Sequence, residues 1–459
     1  MNFTKEVFKR KEVLIKSLQI LLQINSEITS FDPHRKGAPF GEGNYQALQY
    51  MLDLGKQKGF EVANVDGYAG HIEYGKQKEW IGAIGHLDVV PAGTNWTYPP
   101  YSGQIVNNKI YGRGAEDDKG PTIAAFWALT ILKECNLPLQ KRIKLILGLD
   151  EETEWRCMHH YFQKFPQLPV CGFVPDSAFP VVYAEKGICV FSFKRILQDP
   201  KIISIKSGIA SNVVPEFARA ILTFDQKYEL LFHNFLAQHP MKATLTHTCN
   251  NQIQIDVLGA TAHGSTPEQG TNALYQLMKI LKALEINNDL TTFFNQYLVD
   301  DTEAKQMGFY YCDAETGKMV CFSGVLNYEH DQVHFLLNLR YPRGIEYETI
   351  EKKLKQLAAQ NHFTCTSDFH QPLLYINPQS GFIKNLMQVY QKYTHDLVSK
   401  PLCVGGGTFA RCAPNLVAFG PHFIGAPSLA HQKDECMSID HLMKLTAMYA
   451  EAFYLLANN

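Results

Sequence analysis

The sequence predicts an α/β fold that is interrupted by an inserted α+β domain, on two observations. From about residue 80, apolar strand patterns alternate with helical patterns, which is typical of a largely parallel sheet covered by helices. From about residue 188, the strand patterns come in antiparallel-looking pairs around helical stretches. At 459 residues the chain exceeds the size at which a single core stops growing. We therefore expect one domain from residues 1–188 and 375–459, with residues 189–374 inserted into it.

The elements of the first domain are predicted from apolar periodicity. In chain order they are an amphipathic helix over the first residues, strands at 80–85, 143–149, 170–174 and 415–420, a helix at 121–136 and a closing helix at 438–456. Apolar residues at every second position, namely Ile143, Leu145, Leu147 and Leu149, indicate the strand at 143–149, and a continuous apolar run indicates the one at 80–85. Ser438 is a typical N-cap and starts the closing helix.

The inserted domain is predicted to consist of paired strands around two helical stretches. Its predicted strands are 189–195, 218–224, 252–258 and 333–340, and its predicted helices are 271–286 and 347–359. Within residues 324–335, polar residues separate two apolar runs, which is a hairpin signal. This pattern indicates a mixed α+β domain.

Composition describes an ordinary globular chain. Hydrophobic residues make up 46%, charged residues 19%, and the net charge is −2, so nothing here attracts nucleic acid or anionic lipid. The N-terminal segment lacks the pattern of a signal peptide, and no apolar run reaches the roughly 18 residues of a membrane span. The 11 cysteines are scattered and never form CxxC, which argues against disulfides or a thiolate zinc site. A cytoplasmic protein is expected.

Acidic and histidine-bearing segments follow the predicted strands or open the next element. They are Gly-His86-Leu-Asp88, Glu116-Asp117-Asp118, Asp150-Glu151-Glu152, Pro175-Asp176 and the loop around His431. Ligands of open α/β sheets bind at the carboxyl ends of the strands, where these segments are expected to meet. Taken singly, each segment is more often a capped loop or a solvated edge. Together they predict a site.

Consecutive carboxylates at the apolar end of a strand require a compensating cation, because buried like charges repel one another. A pair of divalent metal ions supplies it. Oxygen ligands mixed with imidazole suit zinc, manganese or cobalt, and two such ions form the arrangement that clamps a hydrolytic transition state. We expect two ions per chain, with zinc first among the three metals.

Seven motifs, in order over nearly the whole chain, carry a resemblance to a known family. They are GHLDVVPAG, GRGAEDDKGP, DEE, PDSAFP, GATAHGSTP, GGGTFAR and AHQKDE. The chain resembles the PepV-type (Sapep-like) dipeptidases of the aminoacylase and carboxypeptidase G2 superfamily of two-metal peptidases. The resemblance implies a phosphorylase/hydrolase-like zinc-exopeptidase catalytic domain with the inserted domain as a lid. It also implies hydrolysis of dipeptides or very short peptides.

The resemblance assigns the metal ligands. His86 and Asp176 would hold one ion, Glu152 and His431 the other, and Asp117 would bridge both. Asp88 would orient His86, which agrees with the general need of a ligating histidine for a partner on its other nitrogen. The resemblance also implies a cis peptide bond between Asp117 and Asp118.

The remaining roles follow from the same resemblance. Glu151 would be the general base that activates a metal-bridging water, and His263 would stabilise the oxyanion. Three further residues would bind the substrate, namely Asn212, Arg340 and Gly406. Arg340 would hold the C-terminal carboxylate of the substrate as a planar fork of two donors.

One departure and two rival functions remain open at this point. Thr153 and Glu154 stand where the family usually has a small residue and then glycine or asparagine, and Glu154 is expected to point into water. The same site in a related enzyme could remove the acyl group from an N-acyl amino acid. A metal- or amino-acid-binding protein without activity is the rival from another class. The length of the inserted segment favours the dipeptidase and implies a monomer.

Overall fold

The computed structural model describes residues 1–248 and 251–459. The chain divides into two compact units. The first unit comprises Met1–Tyr183, Ile376–Leu402 and Thr408–Asn459, and the second comprises Ala184–Tyr375 and Cys403–Gly407. The chain passes from the first unit to the second after Tyr183 and returns after Tyr375, whereas we expected these boundaries after residues 188 and 374. Residues 403–407, which we had expected in the first domain, group with the second unit.

Contacts within the second unit explain the placement of residues 403–407. The amide of Lys186 donates to the carbonyl of Val404 at 2.9 Å. The guanidinium of Arg340 donates through Nη1 to the carbonyl of Gly405 at 3.2 Å. Tertiary hydrogen bonds of this kind leave no signal in apolar periodicity.

The first unit contains a mixed sheet whose central strands are parallel. Across the sheet the strands run Glu61–Val65, Ala69–Tyr74, Arg142–Gly148, Trp80–His86, Cys171–Val174, Leu416–Ala418 and Val182–Glu185. The four from Arg142–Gly148 to Leu416–Ala418 are mutually parallel, and their neighbours on either side are antiparallel. The carboxyl ends of the four central strands therefore lie along one edge of the sheet. All four predicted strands of this domain are present, with ends shifted by a few residues.

Helices cover this sheet. They are Phe3–Phe8, Lys11–Gln23, Glu42–Gln57, Lys119–Glu134, Arg156–Lys164, Gly381–Thr394 and Ile439–Asn458. Lys119–Glu134 is buried over all but its last two residues, and it packs against Ile439–Asn458. Ser438 caps the closing helix as predicted, because its side chain accepts from the amide of His441. None of the helices in the described ranges has the length and apolar character needed to cross a bilayer.

The N-terminal segment differs from the single helix that its periodicity predicts. Two helices, Phe3–Phe8 and Lys11–Gln23, form instead, and the helical hydrogen bonding is interrupted between them. At the break, Arg10 pairs with Glu6 at 3.0 Å and with Glu134 at 2.7 Å. The ion pair with a residue 124 positions away is a tertiary contact, which local periodicity does not encode.

Two small sheets place loops beside the carboxyl edge of the main sheet. Lys109–Tyr111 lies between Gln104–Val106 and Cys436–Ser438, antiparallel to both. Ser177–Ala178 pairs in parallel with Pro421–His422. Each sheet joins a segment near residues 100–180 to one beyond residue 420.

The second unit is built on an eight-stranded antiparallel sheet. Across the sheet the strands run Lys242–Thr248, Gln252–Leu258, Phe217–Thr223, Ile202–Ser207, Val320–Glu329, Gln332–Tyr341, Gly187–Ile196 and Thr364–Gln371. The predicted hairpin joins Val320–Glu329 to Gln332–Tyr341 through His330 and Asp331, which have φ values of 50° and 58°. Two central residues with positive φ are the signature of a tight hairpin turn.

The helices of the second unit are Lys227–Gln238, Ala273–Ala283, Asp289–Tyr297 and Tyr347–Gln360. Ala273–Ala283 and Tyr347–Gln360 were predicted, whereas the other two were not. Asp289–Tyr297 has only nine residues and depends on a capping box made by Asn288 and Thr291. Short helices are marginal without tertiary packing, so periodicity alone detects them poorly. The ten cysteines in the described ranges are free thiols, and Cys249 lies outside those ranges.

Truncating Phe335 should destabilise the second unit. Its ring is fully buried and lies 4.9 Å from the rings of Phe193 and Phe294, centroid to centroid. Phe335→Ala leaves a cavity and should cost about 3–5 kcal/mol of unfolding free energy. Ile196→Ala is the matched control, because Ile196 is 75% exposed and its loss should cost no more than about 0.5 kcal/mol. Urea unfolding followed by circular dichroism measures both, and equal midpoints would contradict the packing.

Candidate metal centre

The carboxyl edge of the parallel strands collects the acidic and histidine residues of the first unit. His86 ends the strand Trp80–His86, Asp150–Glu152 follow the strand Arg142–Gly148, and Asp176 follows Cys171–Val174. Asp117 precedes the helix Lys119–Glu134, and His431 lies in the loop after the strand Leu416–Ala418. The structure therefore brings together all five residues that were predicted as metal ligands.

Potential ligand atoms form two overlapping groups. Atoms of His86, Glu151 and Asp176 lie within 4.8 Å of one another, and so do atoms of His86, Asp117 and Glu152. The side chains of Asp117, Glu152 and Asp176 retain only 14%, 11% and 17% of their exposure. Carboxylates so close together and so shielded from water repel one another strongly.

Asp117 lies between the two imidazoles. Its Oδ1 is 2.9 Å from His86 Nε2, and its Oδ2 is 3.0 Å from His431 Nε2. Glu152 Oε1 lies 2.9 Å from the same His431 nitrogen, and Asp176 Oδ2 lies 3.7 Å from His86 Nε2. Each imidazole thus has its own carboxylate, and both share Asp117.

Main-chain contacts orient His86. Its Nδ1 lies 2.9 Å from the carbonyl oxygen of Asp88 and 3.5 Å from the carboxylate of Asp88. Asp88 therefore contacts the imidazole mainly through its backbone, which leaves Nε2 facing Asp117. The Asp88 carboxylate accepts from the amide of Glu152 at 3.1 Å and so connects two strand ends.

The peptide bond between Asp117 and Asp118 is cis, as predicted. Asp118 Oδ2 accepts from the amide of His86 at 3.1 Å and from the hydroxyl of Thr122 at 3.0 Å. Asp118 therefore ties the start of its helix to the end of the neighbouring strand. The motif indicated this residue, but its contact with the backbone of His86 was not predicted.

Burial raises the pKa of each acid of the site, and the neighbouring groups either add to that shift or reverse it. Removal from water, together with Asp117 and Glu151, raises the pKa of Asp176 well above its usual value. Removal from water likewise raises the pKa of Glu151, and the neighbouring Glu152 adds to the effect. Burial alone would also raise the pKa of Asp117, but hydrogen bonds with His431 and His86 lower it far below its usual value.

The imidazoles respond in the complementary sense. Hydrogen bonds with Asp117 and Glu152 raise the pKa of His431 to about 10. Burial opposes the charge on His86, yet its contacts with Asp117 and Asp88 raise its pKa well above the usual value. Both rings are therefore cationic near neutral pH, when no other cation balances the carboxylates.

The donor set suits borderline divalent cations. Within the described part of the chain, the ion pairs of Asp117, Glu152 and Asp176 are with the two imidazoles alone. Imidazole nitrogens mixed with carboxylate oxygens are the ligands of zinc, manganese and cobalt. The residues present thus fit a pair of such ions.

The predicted substrate-contacting residues all lie in the second unit. His263 Nδ1 is 2.7 Å from the hydroxyl of Ser265, and the amide of Gly264 donates to the carbonyl of Asn212 at 2.7 Å. Arg340 is only 4% exposed, so it is not a surface residue. It donates to Asn338 at 3.0 Å and to the carbonyl of Gly405, which neighbours Gly406.

Glu154 points into water, as expected. Its side chain is 67% exposed and pairs with Arg156 at 2.5 Å. Thr153 contacts the carboxylate of Asp150. The departure from the family pattern therefore adds no charge to the cluster of potential ligands.

Sequence reasoning missed Glu116 and Glu435. Both are buried acids that bind backbone amides of the loops carrying Asp117 and His431. Glu435 stands in the motif AHQKDE, so the motif was recognised while the role of its last residue was not. Such a role depends on which amides lie nearby, and only the folded chain determines that.

Imidazoles and carboxylates that converge at the carboxyl ends of parallel strands are the arrangement of a metal-dependent hydrolase. The sequence matches the family described as peptidase family M20/M25/M40 over residues 82–454, and the chain belongs to this family. Membership confirms the resemblance to this superfamily of metallopeptidases and the prediction of a hydrolase that acts on peptide bonds. It also implies that the chain binds divalent metal.

A sequence relative and two solved structures that resemble this chain are named as dipeptidases. The protein "Putative dipeptidase YtjP" of Bacillus subtilis (strain 168) is 39% identical over 477 residues, and the match covers 100% of each chain. The crystal structure of human carnosine dipeptidase 1 has a TM-score of 0.58 at 15% identity and covers 99% of each chain. The dipeptidase Dug1p of Saccharomyces cerevisiae has a TM-score of 0.57 at 11% identity, covering 99% of this chain and 98% of that one. These two likenesses confirm the fold class.

Metal binding should release protons. With the pKa of His431 at about 10 and that of His86 also raised, both imidazoles carry a proton at pH 7.5 in the metal-free protein. A metal ligand must be a neutral imidazole, so zinc should displace roughly one proton or more per chain. Calorimetric titration in two buffers of different ionisation enthalpy measures this number.

His160→Gln is the control for that titration. His160 pairs with Asp66 at 2.8 Å and is not among the potential ligands, so its replacement should leave the proton count unchanged. A binding heat that is the same in both buffers would show that the imidazoles are neutral before the metal arrives.

Proposed function

We propose that the chain is a metal-dependent dipeptidase that hydrolyses the peptide bond of dipeptides or very short peptides. One observation carries the proposal. Asp117 presents separate oxygens to the two imidazoles, at 2.9 and 3.0 Å, so that one carboxylate could serve two ions, each with one of these imidazoles as a further ligand. The peptidase family and the relatives named as dipeptidases support the same reaction class.

Five side chains would hold the ions. His86 and Asp176 would bind one ion and Glu152 and His431 the other, with Asp117 shared, in agreement with the pairs seen at the site. When bound, two divalent ions polarise the scissile carbonyl and lower the pKa of a water molecule. Zinc is the first choice for both positions, and manganese and cobalt are the alternatives.

Glu151 would act as the general base. It would take a proton from the attacking water and return it to the leaving amine. Removal from water raises its pKa, which makes the carboxylate a better proton acceptor. Glu151 also lies within ligand distance of His86 and Asp176, so distances alone would permit it as a metal ligand. Metal content and turnover of a variant separate the two roles.

The residues of the second unit complete the proposal. His263 would stabilise the oxyanion, and Arg340, Asn212 and Gly406 would bind the substrate, with the second unit serving as a lid. What supports these roles within that unit is the contact of Asn212 with Gly264 and the burial of Arg340 beside Gly405. A buried guanidinium is suited to a carboxylate partner, because two parallel hydrogen bonds fix its orientation.

Removal of an acyl group from an N-acyl amino acid is the second candidate, because the same metals and base would perform it. The Bacillus subtilis relative, which this chain matches over its whole length, is named as a putative dipeptidase and so favours the first candidate. An inactive binding protein would lack the base or a ligand, whereas Glu151 and all five predicted ligands are present. We also propose a monomer in the cytoplasm, and the free thiols fit a reducing compartment.

Glu151→Gln should abolish most turnover without loss of metal. The substitution preserves shape but removes the proton acceptor, so kcat should fall about 10²–10⁴-fold while two ions per chain remain bound. Elemental analysis of the purified variant gives the metal content. Glu154→Gln is the control, since its side chain is 67% exposed and should leave kcat unchanged. Loss of one ion from Glu151→Gln would instead make Glu151 a ligand.

A substrate panel tests the reaction class. Metal-stripped protein should cleave dipeptides only after zinc, manganese or cobalt is restored. N-acetyl and N-succinyl amino acids should remain intact, because the proposed reaction is the hydrolysis of dipeptides or very short peptides. Cleavage restricted to the N-acyl compounds would establish the deacylase, and inactivity towards every compound with metal bound would establish the binding protein.

A further inference from the structure

Two loops that are distant in sequence carry neighbouring ligands of the first unit. The Asp117 loop comprises residues 112–118, and the His431 loop comprises residues 423–435. Their ligands meet where Asp117 Oδ2 lies 3.0 Å from His431 Nε2. Neither loop has regular structure over these residues, so the separation of the two ligands depends on what joins the loops.

Glu435 of the His431 loop binds the backbone of the Asp117 loop. Its side chain is fully buried, and Oε1 accepts from the amide of Glu116 at 2.8 Å and from that of Asp117 at 3.2 Å. The amide of Gly114 lies 3.1 Å from both oxygens. Arg113 donates to Oε2 at 2.6 Å. One carboxylate therefore binds three backbone amides of the Asp117 loop, including the amide of Asp117 itself.

Glu116 makes the reciprocal contact. It belongs to the Asp117 loop, is 8% exposed, and accepts through Oε2 from the amide of Leu429 at 2.7 Å. Leu429 stands two residues before His431 in the chain. Each loop thus contributes one buried carboxylate to the backbone of the other.

The start of the Asp117 loop is also joined to the end of the His431 loop. The strand Lys109–Tyr111 pairs with Cys436–Ser438, and the amide of Gly112 donates to the carbonyl of Glu435 at 3.0 Å. Arg113 donates to the carbonyl of Gln432 at 3.3 Å. Each loop is therefore anchored at one end by this strand pairing and along its length by the two carboxylates.

A role limited to joining the two loops does not explain why both Glu116 and Glu435 are acids. The charge of Glu435 is balanced by its buried ion pair with Arg113, whereas Glu116 adds negative charge close to Asp117. A neutral side chain could join two loops without that cost, since buried charges are often replaceable by uncharged groups of similar size. Carboxylates, however, form shorter and stronger bonds with backbone amides and hold them in narrower geometry.

We infer that Glu435 and Glu116 form a reciprocal carboxylate clamp that positions Asp117 against His431, so that these two residues can share one divalent ion. The inference rests on the proposed metal centre. Neither glutamate is among the residues that would hold the ions or the substrate, and each acts through the backbone of a ligand loop. Residues that hold metal ligands in place typically change metal affinity 10–100-fold when replaced.

Cobalt titration of metal-stripped protein, followed by its visible absorption, tests the clamp. Every partner of the Glu435 carboxylate is a donor, so Glu435→Gln presents an amide NH₂ to at least one of them. This variant should bind at least one of the two cobalt ions at least tenfold less tightly than the wild type does, and its absorption bands should change. Glu116→Ala should do the same, whereas Glu116→Gln keeps an acceptor for Leu429 and should restore most of the affinity.

Asp301→Asn is the matched control. Asp301 is a buried carboxylate of the second unit that accepts from the amides of Glu303 at 2.8 Å and Gln306 at 2.6 Å. Its replacement should lower the melting temperature without altering cobalt affinity or absorption. Combining Glu116→Ala with Glu435→Gln should weaken cobalt binding by less than the product of the single effects, because the two residues restrain the same pair of loops.

The outcomes separate the clamp from the metal centre. Fewer than two cobalt ions on the wild-type chain would overturn the proposed function. Two ions on the wild type, with unchanged affinity and spectrum in both Glu435→Gln and Glu116→Ala, would overturn the clamp alone. Should Glu435→Gln fail to fold, Glu116→Ala and its conservative partner decide the question.

Discussion

The structure depends on one constraint, which is the concentration of carboxylates at the carboxyl edge of the parallel sheet. Asp117, Glu151, Glu152 and Asp176 converge on two imidazoles, and the three of them that form ion pairs retain less than a fifth of their exposure. Burial raises the pKa of Glu151 and Asp176, and protonated imidazoles offset only part of the repulsion. Divalent cations could balance all of these carboxylates at once, and the mixed oxygen and imidazole donors suit them.

Much of the surrounding structure restrains groups that would otherwise move apart. The carbonyl of Asp88 orients the imidazole of His86, and Asp118 accepts from the amide of that same residue. Glu435 and Glu116 bind the backbones of the Asp117 loop and the His431 loop. The ligands are thus held through main-chain hydrogen bonds to neighbouring acids. This arrangement leaves the side-chain donor atoms available to the ions.

The sequence predicted the parts of the fold that local patterns encode. The strands of the parallel sheet, the hairpin at His330 and Asp331, and the Ser438 cap all depend on residues close together in the chain. The break at Arg10, the grouping of residues 403–407 with the second unit, and the helix Asp289–Tyr297 were not predicted. Each of these depends on a tertiary contact or on a cap that stabilises a short segment.

By itself, the sequence determined the α/β fold class, the peptidase family and which acids and histidines stand at the strand ends, because periodicity and short motifs are read from residues close together in the chain. The tertiary structure alone decided that Asp117 faces both imidazoles, that Asp88 uses its carbonyl, and that Glu435 binds the Asp117 loop. Asp117 and Glu435 are separated by more than 300 residues. No local pattern can specify distances across such a separation, since they are set by the packing of strands and loops against one another.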